Sequence, residues 1–180
     1  MDWYLFSLLN GLAGRWPVLD LLLSNTARYG LFVLILPLFY LWFAGARDIR
    51  VDRRERVLQA VAAVALALAV NQLIGLVYFR PRPFAFHQVR LLLPPSPDPS
   101  FPSDHATAAW ALSWGLRGGP PWLTGLMFLG SVLLMLSRVF VGLHYPLDTL
   151  GGAAMGILAS TLVKRVWPRF SPLLRRLLSP

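Results

Sequence analysis

The chain has 180 residues, of which 56% are hydrophobic and only 14% charged, against roughly a quarter charged in a soluble domain. This excludes an ordinary soluble enzyme and indicates one integral membrane domain over residues 1–180, with no separate soluble module. The net charge of +9 does not signal nucleic-acid binding, because most basic residues flank apolar runs, as membrane topology requires. No cysteine is present, so disulfides and thiolate chemistry are excluded.

The start, Met1-Asp2-Trp3-Tyr4, lacks the positive charge of a signal peptide, and the first span is expected to insert uncleaved. Residues 3–13 mix Trp3, Tyr4, Phe6, Leu8 and Leu9 with polar residues, which predicts an interfacial helix with aromatics at headgroup level. A second short helix is expected over 17–26, with Asp20 toward polar surroundings, and a first span over 29–46. A basic loop, 47–56, follows. The second span, 57–79, ends at Arg80-Pro81-Arg82-Pro83, where two prolines stop a regular helix. Residues 84–102 read as a loop, stiffened by five prolines between Pro94 and Pro102.

A third span is expected from Ser103 to about Leu116, short for a full crossing. Gly118-Gly119-Pro120-Pro121 makes a turn, the fourth span covers 121–140, and Val141 to Leu143 leads to a fifth from Tyr145 to Val163. The tail, 164–180, is basic and amphipathic. The fold class is therefore an all-α membrane bundle of five to six transmembrane helices with short N-terminal interfacial helices. With five spans, eleven of the 17 basic residues share one side: Arg47, Arg50, Arg53, Arg54, Arg56, Arg117, Lys164, Arg165, Arg169, Arg175 and Arg176. That side is expected to be cytoplasmic. Loop 80–102 and turn 141–144 then both face outward, which brings distant polar motifs to one membrane face.

Polar groups beside apolar spans carry function by default. His144 and Asp148 are four apart at a helix start and share a face. A carboxylate there can fix the imidazole tautomer and free the other nitrogen for attack. Taken alone, the pair favours a structural His–Asp contact at a helix start. Arg138, six residues before His144, and Arg82, at the mouth of another span, fit either phosphate binding or interfacial snorkelling. His105 stands in the first turn of the third span, where free N–H groups favour an anion and an imidazole can supply a proton. Ser103 and Asp104 are candidates for helix capping, phosphate binding or both. His87 suits either a substrate-headgroup contact or a plain interfacial loop. Gly152-Ala153-Ala154-Met155-Gly156 permits close helix packing, within or between chains. No metal-ligand set emerges, and metal-independent chemistry without a cofactor is expected. A transporter would place charge near mid-membrane; the span interiors hold Asn71 and Gln72 but no charge until near their ends.

Together these residues resemble the type-2 phosphatidic acid phosphatase superfamily of membrane lipid phosphatases, with motifs Lys-x6-Arg-Pro, Pro-Ser-Gly-His and Ser-Arg-x5-His-x3-Asp. Ser137, Arg138, His144 and Asp148 match the third in full. Pro102, Ser103 and His105 match the second, with Asp104 in place of Gly. Arg82 and Pro83 match the first, but Gly75 stands where the lysine belongs. The resemblance implies a His144 nucleophile oriented by Asp148, His105 as general acid, and a phosphate held by Arg82, Arg138 and Ser103, with Arg80 as a substitute for the lysine. Arg-Pro-Arg-Pro-Phe, Phe-Pro-Ser-Asp-His and Gly-Leu-His-Tyr-Pro-Leu-Asp are further similar to bacterial undecaprenyl-diphosphate phosphatases linked to bacitracin resistance. That subgroup implies a polyprenyl diphosphate lipid as substrate, in the bacterial cytoplasmic membrane, with an outward-facing site. A phosphatase for phosphatidylglycerol phosphate or phosphatidic acid is the alternative within the superfamily.

Overall fold

The computed structural model describes residues 1–44, 46–172 and 175, with the side chains of 47 and 48 left aside. The elements are α1 (Asp2–Asn10), α2 (Pro17–Phe43), α3 (Arg47–Val77), α4 (Pro83–Phe86), α5 (Asp104–Gly115), α6 (Pro121–Phe140) and α7 (Pro146–Val166), followed by a 3-10 turn, Trp167–Arg169. Four helical stretches, 17–43, 49–77, 121–140 and 146–169, are long and apolar enough to cross a bilayer. The chain is a multi-pass membrane protein.

Two boundaries differ from expectation. The short helix at 17–26 and the span at 29–46 are one continuous helix, α2. Pro17 takes the first helical position, where it is tolerated, and nothing in Arg28-Tyr29-Gly30 breaks the run. No sixth span therefore forms at the N-terminus. The basic loop at 47–56 is also helical: α3 begins at Arg47 and runs 31 residues, about 46 Å. A run of Arg, Asp and Glu marks a membrane boundary, but it is not a backbone break. The first turns of α3 extend past a hydrocarbon core of about 30 Å. The tail expected over 164–180 continues α7 to Val166; its residues 173–174 and 176–180, Arg176 included, lie outside the described residues.

The expected third span is the inner post of the bundle. α5 has 12 residues, about 18 Å, shorter than a hydrocarbon core, yet it leads from the cavity end to the end where Arg56 and Lys164 bond the Gly118 and Arg117 carbonyls. Eight of its residues are buried, and it packs against α7, α3, α6 and α2. Small residues permit that approach. Gly115 abuts Ala60 of α3, and Gly152 and Gly156 of α7 lie directly on the Ser103 and Thr107 carbonyls of α5. The small-residue pattern at 152–156 thus packs within the chain. A second apolar cluster, Leu34, Leu38, Leu41, Val57, Leu112, Leu123, Met127 and Leu134, joins α2, α3, α5 and α6.

At one end, α1 lies over the C-terminus of α6. Phe6 is buried with Val139 and Tyr145. The Asn10 amide donates to the Arg90 and Phe140 carbonyls, both at 2.8 Å, and its oxygen accepts from the Arg90 N–H at 3.0 Å. Together α1, the loop around Arg90 and the end of α6 form a fixed cap. Gly142 makes the turn there with φ +88°, and a side chain at this position would meet the Arg90 carbonyl at 2.9 Å. The turn aims His144 back into the bundle.

Candidate active site

Inside this end lies a cavity of about 540 Å³, walled by α2, α3, the proline-rich loop, the start of α5 and the end of α6. Arg82, Asp104, His105, Arg138 and His144 line it. Residues from three distant sequence motifs therefore meet in one place. The cause is topological: α3, α6 and the entries to α5 and α7 all reach the same end of the bundle.

His144 is 2% exposed. Its Nδ1 lies 2.9 Å from the Ser100 carbonyl oxygen. A carbonyl only accepts, so Nδ1 carries the hydrogen and Nε2 holds the lone pair. Nε2 in turn meets Arg82 Nη1 at 3.2 Å. Burial, and then the charges of Arg138 and Arg82, push the His144 pKa well below the usual histidine value, against the pull of the Ser100 carbonyl. The imidazole is neutral at physiological pH.

Asp148 is arranged differently from the direct pair expected. Its Oδ2 lies 3.9 Å from His144 Nδ1, too far for a hydrogen bond. The carboxylate instead accepts from the Ser100 hydroxyl at 2.5 Å, from the Tyr145 N–H at 2.8 Å and from Arg80 Nη1 at 2.5 Å. Ser100 therefore stands between the two residues, touching Asp148 with its hydroxyl and His144 with its carbonyl. The two-residue spacing before Pro102 gave no hint of it, because a loop backbone has no period from which to read direction. The Tyr145 contact also shows Asp148 holding the first turn of its own helix.

Arg80 is not in the cavity. Its guanidinium is clamped between Asp148 and Asp2 (Nη2 to Oδ2, 2.6 Å) and lies 4.5 Å over the Tyr145 ring. It does not take the place of the missing lysine; it braces Asp148 from behind. Asp2, unforeseen in sequence, also accepts from the Leu147 N–H at 3.0 Å, which ties α1 to α7.

Arg82 and Arg138 are each 7% exposed, and neither is within ion-pair distance of a carboxylate among the described residues. Arg82 donates to the Asp98 and Leu143 carbonyls at 3.0 Å. Arg138 Nη1 donates to the Ala27 carbonyl at 3.2 Å, while its Nε is buried with no partner. Two buried guanidiniums facing one cavity with no carboxylate in ion-pair contact are costly. The arrangement suits an anion with several oxygens.

Ser103 takes the N-cap position of α5, but its hydroxyl makes no cap bond and is buried without a partner. Asp104 lines the cavity with its carboxylate engaged by Asn71 Nδ2 at 2.7 Å and Gln72 Nε2 at 3.4 Å. It fastens α5 to α3, and a carboxylate so placed is no donor to a phosphate. His87 stacks on Trp3 at 3.7 Å and does not line the cavity. Among the expected site residues, Arg82, His105, Arg138 and His144 thus share the cavity with Asp104, and Ser103, Arg80, Asp148 and His87 do not line it, Ser103 being fully buried at its edge between Pro102 and Asp104.

A family model described as the PAP2 superfamily matches residues 56–172. The chain is 35% identical over 175 residues to undecaprenyl-diphosphatase BcrC of Bacillus subtilis (strain 168), covering 97% of this chain and 86% of that protein. It is 30% identical to putative undecaprenyl-diphosphatase YbjG of Escherichia coli (strain K12), over 91% of this chain and 81% of that one. Its fold is similar to the crystal structure of Aquifex aeolicus LpxE, with a TM-score of 0.75, 27% identity and coverage of 90% and 93% of the two chains. A site assembled from these motifs, on this bundle and with these relatives, places the chain in the PAP2 superfamily.

Proposed function

We propose that the chain, acting as one unit over residues 1–180, removes the terminal phosphate of undecaprenyl diphosphate and leaves the monophosphate. One observation carries the phosphatase reading: two buried arginines, neither in an ion pair among the described residues, share a cavity with a neutral histidine whose tautomer presents Nε2. The lipid is supported by two relatives of 35% and 30% identity whose names state undecaprenyl-diphosphatase.

In the proposed reaction, Arg82 shifts from His144 Nε2 onto the arriving phosphate, with Arg138 Nε and the Ser103 hydroxyl as further donors. Nε2 attacks the terminal phosphorus. Burial, and then the Arg138 and Arg82 charges, lower the His105 pKa to about 4, so it takes up a proton as the anionic phosphate offsets those charges. The N–P bond forms as the bond from phosphorus to the bridging oxygen breaks, and His105 gives that oxygen the proton. Water then attacks the phosphohistidine and passes its proton to His105; the N–P bond breaks and phosphate leaves. Ser100 and Asp148, braced by Arg80, keep the His144 ring in place. An outward-facing site in the bacterial cytoplasmic membrane is supported by the eleven of 17 basic residues assigned to the opposite side.

The test is phosphate release by purified protein from undecaprenyl diphosphate, phosphatidylglycerol phosphate and phosphatidic acid, beside His144→Ala. The diphosphate is expected to be the best substrate, and the variant inactive. Faster turnover of either glycerophospholipid would replace the proposed substrate with that lipid, and an active His144→Ala would end the phosphohistidine mechanism.

A further inference from the structure

Arg28 belongs to none of the family motifs, yet it lines the cavity. It lies eleven residues after the start of α2, about 16 Å along the helix. An arginine on a helix of this apolar length calls for a role or a partner. Its helix turn is held in place: the neighbouring Ala27 is fully buried, and its carbonyl accepts from Arg138. Arg28 itself is exposed to the cavity side and has no ion pair among the described residues.

The charge inventory of the cavity then matters. Arg82 touches His144 Nε2, and Arg138 has a free Nε, so both belong with the phosphate being transferred. A diphosphate monoester has a second phosphate, which stays on the lipid and remains anionic after cleavage. Asp98 and Asp104 line the same cavity but repel it; they are engaged by the Ser96 hydroxyl and by Asn71 and Gln72. On the α3 wall, Gly75 offers no side chain, and the nearest atom to a Cβ placed there is Pro99 Cγ at 3.4 Å. The wall is open where the resembling family places a lysine.

We propose that Arg28 forms a subsite for the retained phosphate of a diphosphate lipid, in the space left open by Gly75. The inference rests on the phosphatase reading above and names what the site distinguishes: a diphosphate from a single phosphate.

The experiment uses the full-length protein in detergent, with farnesyl diphosphate and farnesyl monophosphate as substrates. Inhibition by methylenediphosphonate and by inorganic phosphate is measured on the farnesyl diphosphate reaction. In Arg28→Ala, the ratio of kcat/KM for diphosphate over monophosphate is expected to fall about tenfold, mainly through KM. The inhibition constant of methylenediphosphonate should rise by a similar factor and that of phosphate by much less, with Arg28→Lys close to wild type. Equal weakening of both inhibitors, or of neither, would overturn the subsite. If instead the wild type fails to release phosphate from farnesyl diphosphate, or His144→Ala retains activity, the phosphatase reading falls and the subsite with it.

Discussion

The Ser100 hydroxyl donates to Asp148 Oδ2 at 2.5 Å, and the Ser100 carbonyl accepts from His144 Nδ1 at 2.9 Å. One loop residue thus couples a carboxylate and an imidazole that are 3.9 Å apart. The carboxylate acts on the ring through the loop, and the loop is held by the carboxylate.

This arrangement separates two substitutions. Ser100→Ala removes the hydroxyl but keeps the carbonyl that fixes the tautomer, so kcat should fall by about tenfold or less. Asp148→Asn weakens the ion pair with Arg80 and disturbs the Ser100 and Tyr145 contacts together, and kcat should fall on the order of 10²-fold. Steady-state kinetics on one lipid diphosphate compares them. A larger loss from Ser100→Ala than from Asp148→Asn would mean that the coupling runs otherwise.

On the proposed reaction, Arg138 trades stability for binding. Its guanidinium is buried with Nε unpartnered and no carboxylate nearby among the described residues. Arg138→Met should stabilise the protein by about 1–2 kcal/mol while lowering kcat/KM on the order of 10³-fold. Thermal unfolding in detergent, read beside activity, checks both. A lower Tm in the variant would show that the Ala27 contact outweighs the cost of the buried charge.

The His144 pKa is depressed in the folded protein, chiefly by burial and then by Arg138 and Arg82. The unfolded chain therefore binds more protons below about pH 6.5. The contribution of His144 to stability is fully present above that pH and is lost as pH falls toward the folded value. Wild type should lose stability on acidification below 6.5, and His144→Asn should lose less; equal slopes would contradict a neutral, buried imidazole. For the same reason, His144, the proposed nucleophile, should stay deprotonated well below pH 6.5 in the free enzyme, with no fall in kcat/KM there attributable to this residue.

The cations gathered at the cavity are guanidiniums, which in the proposed reaction compensate the phosphate charge without a metal ion. Phosphate release should persist after treatment with EDTA and dialysis. Loss of activity that a divalent cation restores would require a metal in the reaction.

The membrane class, the helical bundle and the convergence of Arg82, His105, Arg138 and His144 were legible in sequence because each rests on local pattern. Apolar runs of bilayer length make spans, prolines end them, and the number of crossings decides which ends meet. α2 runs unbroken through Arg28-Tyr29-Gly30 and α3 starts at Arg47, because a shift in composition does not by itself break the backbone. The roles of Ser100, Asp2, Arg80 and Asp104 were not legible. Their partners are distant along the chain: Asp2 and Arg80 are 78 apart, Ser100 and Asp148 are 48 apart. Spacing along one helix brought Asp148 to the side of His144, and only tertiary packing decided that Ser100 would stand between them. The sequence by itself determined which polar groups are present and that they gather at one end of the bundle, since helix period and crossing number suffice for that. Which donor meets which acceptor was left to the tertiary structure, because a hydrogen bond depends on distances of a few tenths of an ångström that only the packed bundle sets.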